Sequence, residues 1–138
     1  MNCILMPLER ASQGFKDVSM SFGRNPINDD VITIKDRNAI ARSLRNIVFT
    51  RQGEKFFNPN FGSRLSDSIF ENVSGAVALS IRDEIDRSIT NYEPRVKLRS
   101  VRVKPDFGNN EMNVTIVYTI VGIDSPPQQL DFALLPTR

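Results

Sequence analysis

The chain has 138 residues, a length that suits one compact domain with one or two short extensions. Its 18 Lys and Arg residues against 16 Asp and Glu residues leave a net charge of only +2, which gives no reason to expect a general polyanion-binding protein. The lack of His and the single Cys, Cys3, exclude an intrachain disulfide and argue against His-based catalysis, so we expect no metal and no cofactor.

Residues 1–30 differ from the rest of the chain because they show no helical periodicity. Within them, Val18, Met20 and Phe22 alternate with polar residues, which is a strand pattern. A short strand in an extended arm must pair with a sheet of its own domain or of a neighbour. We therefore divide the chain into an N-terminal arm, residues 1–30, and a domain, residues 31–138.

Three helices are predicted after the arm. Thr33 and Asp36 resemble a capping box ahead of an amphipathic helix near residues 35–50. A short helix is expected near 63–72, with Leu65, Ile69 and Phe70 facing inward. Ser74 is a suitable cap for a helix near 75–91, which must end before Pro94. The apolar stripe of this last helix comprises Val77, Ala78, Ile81, Ile85 and Ile89.

The segment between the first two helices, residues 51–62, has the turn formers of a loop. It also contains Phe56, Phe57 and Phe61, which we expect to anchor the loop to the core rather than to form a ligand site. Arg51 and Glu54 are candidates for an internal ion pair that braces the loop.

Three strands close the chain. Residues 96–104 alternate in two phases, and the phase change near Arg99 predicts a bulge. A hairpin loop at 105–110 leads to a cleanly alternating strand, 111–121. Leu130, Phe132 and Leu134 mark a last strand at an edge of the sheet. The fold class is therefore α+β, with about three helices packed on a three-stranded antiparallel β-sheet and an extended N-terminal arm.

Basic residues cluster in the first of these strands, but no aromatic platform interleaves them, so we expect no nucleic-acid partner. In a regular strand Lys97 and Arg99 face one side, while Arg102 and Lys104 follow the other phase. An exposed sheet face, or a contact with an acidic protein surface, accounts for them. The chain also lacks the roughly 20 consecutive apolar residues of a membrane span, so no membrane partner is expected.

Three segments stand out together, which are Thr50–Leu65 (TRQGEKFFNPNFGSRL), Phe70–Asn72 (FEN) and Asn91–Arg95 (NYEPR). In this order and spacing they resemble the lysozyme-like baseplate-wedge family of contractile phage tails. The family also includes the wedge subunit of type VI secretion baseplates. The arm, with Asp17–Phe22 followed by an Asn-Pro and an Asp-Asp pair, fits the leader of such proteins. The resemblance covers about residues 15–135.

The resemblance implies a structural subunit of the virion, located in the tail baseplate. Its implied partners are other wedge proteins, the tail sheath and the tail tube, with six copies per tail in a sixfold baseplate. In the family, the corner that matches Glu93, Pro94 and Arg95 contacts the wedge core, so we expect these three residues to bind a partner. The residues alone leave open that Glu93 and Arg95 instead bond each other or the domain's own loops.

The resemblance also implies that the first sheath ring is initiated by strand sharing, in which one subunit lends a strand to a neighbour's sheet. The candidate side chains are Val18, Met20, Phe22, Leu130, Phe132 and Leu134. Two other interpretations stay open: the last strand can be a plain internal strand, and the arm can be disordered in the isolated chain.

The alternative function is a peptidoglycan-degrading glycosidase of the tail, because the family carries a lysozyme-like name. Such hydrolysis needs two suitably spaced carboxyl groups, and Glu54, Asp67, Glu71 and Glu93 are candidates. However, the chain has no Trp and two Tyr for sugar stacking, and no acid is marked as lying in an apolar pocket. We therefore expect no catalytic residues. A third class, a regulatory adaptor of the same fold, is disfavoured by the arm and by the complete loop motif.

Overall fold

The computed structural model describes residues 14–19, 21–71 and 73–135, so Met20 lies outside the described residues. The predicted α+β class is confirmed: three helices accompany a three-stranded antiparallel sheet. A two-stranded ribbon precedes them. The elements are β1 Lys16–Val18, β2 Thr33–Lys35, α1 Asp36–Phe49, α2 Leu65–Ile69, α3 Gly75–Tyr92, β3 Val96–Asp106, β4 Glu111–Ile120 and β5 Gln128–Leu134.

In the described part of the arm, β1 pairs with β2 of the same chain and forms an antiparallel ribbon. Lys16 pairs with Lys35, and Val18 pairs with Thr33. The strand is shorter than the alternation predicted, because Phe22 has a φ of +45° and its amide donates to Ser19 O in a turn. β1 lies in the predicted arm and β2 lies after residue 30, so the ribbon pairs the arm with the start of the predicted domain.

The predicted capping box at the start of α1 is wrong. Lys35 is the N-cap residue and makes no side-chain cap, and Thr33 belongs to β2. The Asp36 carboxylate instead accepts a hydrogen bond of 3.0 Å from the amide of Phe15. This bond fastens the start of the ribbon to the start of the helix.

Helix α3 follows the sequence prediction closely. Ser74 caps it by accepting a hydrogen bond from the amide of Val77 at 3.3 Å, and the helix ends at Tyr92, before Pro94. The predicted apolar stripe is buried along its whole length. Because these residues recur every three or four positions, one face of the helix packs on the sheet. In the short helix α2, Leu65 is buried as predicted, whereas the expected inward position of Phe70 is wrong because that ring is exposed.

The sheet has the order β3-β4-β5, and every pair is antiparallel. The predicted bulge is confirmed by a register shift between Leu98 and Ser100, which lie opposite the consecutive residues Tyr118 and Val117. The inner face of β4 carries Met112, Val114, Ile116, Tyr118 and Ile120, all buried. Strand β5 pairs with β4 alone within the described residues, so it is an edge strand, as predicted.

The expected placement of the basic cluster on two faces is wrong. Lys97, Arg99, Arg102 and Lys104 are all exposed, and the apolar residues between them pack against the core. A bulge sets two residues of one strand opposite a single residue of the other. The extra residue, Arg99, therefore brings the second half of β3 back into phase with the first half.

The loop after α1 is held by polar contacts rather than by the aromatic anchors we predicted. Phe56 and Phe57 are fully exposed, so that prediction is wrong for both; only Phe61 is partly buried, with its ring 5.2 Å from that of Tyr92. The expected Arg51–Glu54 ion pair is also not formed. The Arg51 guanidinium contacts Asp67 at 2.9 Å instead, and the Glu54 carboxylate accepts a bond from the Arg51 amide.

None of the helices in the described ranges is both long and apolar enough to cross a membrane.

Candidate partner-binding site

The corner between α3 and β3 consists of Glu93, Pro94 and Arg95. The Glu93 amide donates to Ile89 O at 2.9 Å and completes the helix, while the Val96 amide donates to Glu93 O at 3.2 Å and starts the strand. Pro94 is exposed at the turn. Since proline has no amide hydrogen and a fixed φ, it ends the helix without leaving a donor unpaired.

Arg95 grips the Glu93 carboxylate with two parallel bonds. Its Nε donates to Oε1 at 2.6 Å and its Nη2 donates to Oε2 at 2.8 Å. The residue Glu93 is only 2% exposed, so this is a buried carboxylate paired with a guanidinium. Ser43 of α1 adds a third bond, from its hydroxyl to Oε2 at 2.5 Å. Such charge-assisted, two-pronged pairs are shorter and stronger than neutral hydrogen bonds.

These contacts set the protonation of both groups. Burial acts to raise the pKa of the Glu93 carboxyl, but the hydrogen bonds from Arg95 and Ser43 outweigh it, so the pKa lies below its usual value. The hydrogen bond to Glu93 raises the pKa of the Arg95 guanidinium, although burial opposes the shift. At neutral pH the corner is therefore a charged pair rather than a proton donor.

Arg95 also joins the corner to the ribbon. Its guanidinium carbon lies 5.4 Å from the centre of the Phe15 ring, and its Nη1 lies 3.7 Å from Asp17 Oδ1. One side chain thus contacts the N-terminal ribbon and the end of α3 at once. The backbone of the corner is held as well, because Arg95 O accepts a hydrogen bond of 2.8 Å from the amide of Val121, the residue after β4.

Of the two interpretations of the corner that the sequence left open, the structure displays the internal one: Glu93 and Arg95 bond each other. Glu93 has no exposed surface to offer. Pro94 is exposed, and the Arg95 side chain keeps 29% of its surface accessible. Contact with a partner at this corner therefore stays a prediction that concerns Pro94 and the open side of Arg95.

The strand-sharing candidates fall into two groups. Val18 and Phe22 are exposed on the ribbon, with Phe22 75% accessible. Phe132 and Leu134 are buried in the domain's own core, and Leu130 packs against it. These three side chains of β5 therefore face inward, and they leave the unpaired main-chain edge of the strand as the part that a neighbour can pair with.

A groove of about 630 Å³ lies beside the corner, and no pattern in the sequence predicts it. Its walls come from the ribbon, with Val18 and Ile34, from α1, with Arg42 and Ser43, and from the loop, with Lys55. These residues come from four elements of the chain, which are β1, β2, α1 and the loop after α1. Periodicity within one segment cannot reveal a surface that only folding assembles.

The glycosidase candidates do not form an acid pair with divided roles. Glu93 is bound to Arg95, and Asp67 is bound to Arg51. Glu54 and Glu71 are exposed on a loop and a turn. Across the residues that the structure describes, no group of three or more His, Cys, Asp or Glu side chains is placed to hold a metal ion.

Two solved structures share this fold. A Geobacter sulfurreducens protein, named as a proposed tail lysozyme, superposes with a TM-score of 0.66 at 24% identity and covers 73% of this chain and 91% of its own. A chain of the sixfold-symmetrised anti-feeding prophage baseplate gives a TM-score of 0.63 at 22% identity, over 91% of this chain and 88% of its own. At these identities the likeness establishes the fold alone.

The sequence comparisons go further. The chain is 35% identical over 99 residues to the baseplate wedge protein gp25 of Enterobacteria phage T4, which covers 72% of this chain and 74% of that protein. Residues 35–124 match the family model described as baseplate wedge protein gp25. That range runs from the end of the ribbon through the corner and β4. The chain therefore belongs to the gp25 family of baseplate wedge proteins, structural components of contractile tails that are located in the virion baseplate.

Proposed function

We propose that this protein joins other wedge proteins in the baseplate and initiates the tail sheath by sharing strands with its first ring. The observation that carries the proposal is the free edge of β5, which spans Gln128–Leu134 and pairs only with β4 among the described strands. An unpaired edge of this length is a template for another strand. Addition of a strand satisfies its main-chain groups without any change in the core.

The ribbon supports the same proposal from the other end of the chain. Val18 and Phe22 present apolar side chains to solvent, and Ile27 at the ribbon tip is also exposed. Several exposed apolar side chains close together are typical of a segment that a partner covers. We assign the same role to Met20, which stands between them in the alternation of the sequence.

The corner provides the contact with the wedge. Glu93 holds the Arg95 guanidinium in place from inside the domain, so the remaining donors of Arg95 and the rigid Pro94 are presented in a fixed direction. Glu93 acts in this proposal as a positioning residue, and Pro94 and Arg95 touch the partner. The anti-feeding prophage baseplate was symmetrised sixfold, which supports six copies of the chain around the tail tube.

We further propose that the protein is not an enzyme. A glycosidase needs a carboxylic acid whose pKa is raised so that it can donate a proton. Glu93, the buried candidate, has its pKa shifted the opposite way by Arg95 and Ser43. The named relative of phage T4 is a wedge protein. The glycosidase alternative would be supported if the purified chain released muropeptides from peptidoglycan and the Glu93→Gln variant did not.

Hydrogen exchange followed by mass spectrometry tests strand sharing directly. We expect the edge amides of residues 128–134 to exchange quickly in the isolated chain and in baseplates without sheath, and at least 10-fold more slowly in sheathed tails. Amides of residues 112–118 in the central strand serve as the internal control, because they are paired in all three samples. Equal exchange of 128–134 in sheathless baseplates and sheathed tails contradicts the proposal.

The corner is tested with Arg95→Lys, which keeps the charge but loses the two-pronged geometry. We expect a folded chain, judged by circular dichroism, that fails to enter baseplates in infected cells. Arg45→Lys, at an exposed position of α1, is the matched control. If Arg95→Lys unfolds the chain, Pro94→Lys places a long side chain on the same exposed corner. Normal baseplates from both corner variants would remove the site assignment.

A further inference from the structure

The outer face of β3 carries a row of cations that the contacts described so far do not use. Lys97, Arg99, Arg102 and Lys104 are exposed, and none of them forms an ion pair with any residue in the described part of the chain. At about 3.3 Å per residue the row is roughly 20 Å long. The bulge at Arg99 is what places the four charges on one face.

Most of the row faces uncharged residues of the neighbouring strand. Across the sheet, Lys97 lies opposite Thr119, Arg102 opposite Thr115, and Lys104 opposite Asn113. The acid on the far strand, Asp131, lies opposite Thr115, and so about 10 Å from the backbone of Arg102. Its carboxylate accepts a hydrogen bond of 2.7 Å from the Gln129 side chain and forms no ion pair with the row among the described residues. Asp106 and Glu111 flank one end of the row, at the hairpin.

An apolar groove of about 400 Å³ runs along the same edge, between α3 and β3. Its floor includes Val101 and Val103, and Leu79 of α3 is 55% exposed beside them. Arg102 and Lys104 line its rim. Arg82 also lines the groove, but its guanidinium is already paired with Asp83 at 2.8 Å.

We propose that this surface, the basic row of β3 with the adjoining groove, docks an acidic segment of another baseplate protein. The segment would place Asp or Glu side chains along the row and one apolar side chain over Leu79. The inference rests on the proposed function, because it takes the chain to be surrounded by other baseplate proteins. Complementary charge of this kind steers association and fixes the orientation of the partner.

A protein fits the surface better than a nucleic acid. Single-stranded nucleic acids are bound by aromatic side chains interleaved with cations. The residues between these cations are Ser100 and three aliphatic residues that pack against the core, Leu98, Val101 and Val103. The phosphate backbone of a nucleic acid makes no favourable contact with an apolar groove, whereas a polypeptide can bury an apolar side chain in it.

Carbodiimide cross-linking of purified baseplates tests the proposal, because this reagent joins amines to carboxylates that are already in contact. We expect Lys97 and Lys104 to link to Asp or Glu peptides of a different protein. The proposed function fails if the chain is absent from purified baseplates. The docking proposal alone fails if the chain is present and Lys97 and Lys104 stay open to acetylation.

A charge-matched pair of double variants separates the row from net charge. Arg99→Gln with Arg102→Gln removes two cations of the row, and Arg37→Gln with Arg45→Gln removes two exposed cations of α1. We expect the first pair to reduce incorporation into baseplates about 5-fold, and the second to change it less than about 2-fold. Equal effects of the two pairs would overturn the proposal. The partner would be a nucleic acid instead of an acidic protein if two results came together. A short DNA duplex would bind the wild type but not the variant with Arg99→Gln and Arg102→Gln, and no protein cross-links would form.

Discussion

Ser43 in the middle of α1 donates a hydrogen bond of 2.5 Å to Glu93 at the end of α3, although 50 residues separate them along the chain. This bond is the point where the first helix meets the corner. It satisfies an oxygen of a buried carboxylate that also binds Arg95. The corner is consequently part of the domain's internal structure, and its stability depends on both helices.

Ser43→Ala is expected to lower the free energy of unfolding by about 1.5–3 kcal/mol, because a hydrogen bond to a charged, buried group is lost. Urea denaturation followed by circular dichroism measures the change. Ser80→Ala is the control: Ser80 is exposed on α3 and bonds only its own helix at 3.3 Å, so a change within about 0.5 kcal/mol is expected. Similar losses for both variants would mean that the Ser43 bond contributes little.

The lowered pKa of Glu93 predicts a pH dependence of stability. The unfolded chain takes up this proton near the usual value of 4.5, while the folded chain resists it to lower pH. The contribution of Glu93 is therefore fully present above pH 4.5 and is lost as pH falls through the folded pKa. Arg95 stays charged throughout, since its pKa is raised.

We expect the difference in unfolding free energy between the wild type and Glu93→Gln to stay constant from about pH 7 to 5.5 and to shrink below pH 4.5. Taking the difference removes other acids from the comparison. Asp106 is one of them, because hydrogen bonds from Asn109 and Gly108 also lower its pKa. A difference that stays level down to pH 3 would contradict the assignment.

Gly62 is expected to tolerate no side chain. Its φ is +111°, and a Cβ at this position would lie 2.3 Å from Thr50 O. Gly62→Ala should therefore cost about 3 kcal/mol or more, measured by thermal or urea unfolding. Gly53→Ala is the control, because its φ is +89° but no atom lies within 4 Å, so about 1 kcal/mol is expected. Equal costs would mean that backbone conformation, and not the contact with Thr50, limits this position.

The exposed aromatic pair of the loop should contribute nothing to the fold. Phe56→Ser with Phe57→Ser is expected to change the unfolding free energy by less than about 0.5 kcal/mol. Phe132→Ala, which removes a buried ring packed 5.2 Å from that of Phe49, should cost about 3–5 kcal/mol. A loss above about 2 kcal/mol from the loop pair would show that these rings are covered in solution.

The sequence predicts well the parts of the fold in which burial repeats within one element. The stripe from Val77 to Ile89 and the alternation from Met112 to Ile120 each identify a buried face. Apolar residues every three or four positions indicate a helix, and apolar residues at every second position indicate a strand. The cap at Ser74 is predicted for the same local reason. In the corner, the family motif pointed to Glu93 and Arg95, but not to the bond between them.

The errors share a physical cause, which is that the deciding contact comes from elsewhere in the chain. Phe56 and Phe57 are residue types common in cores, but the loop is held by other contacts. The Ser63 amide bonds to the Thr50 carbonyl at 2.9 Å, and Arg51 pairs with Asp67. Similarly, the groove beside the corner and the bond from Ser43 exist only once distant segments have met. No local pattern carries that information.

The register shift in β3 also restricts how the length of this strand can vary in evolution. Arg99 is the residue without a counterpart, so its deletion would leave Leu98 opposite Tyr118 and Ser100 opposite Val117, joined in an unbroken alternation. Deletion of Arg102 would instead turn Lys104 toward the core and Val103 toward solvent. Homologues that are one residue shorter in this strand are therefore expected to lack the position of Arg99, and to keep every other inward and outward position unchanged.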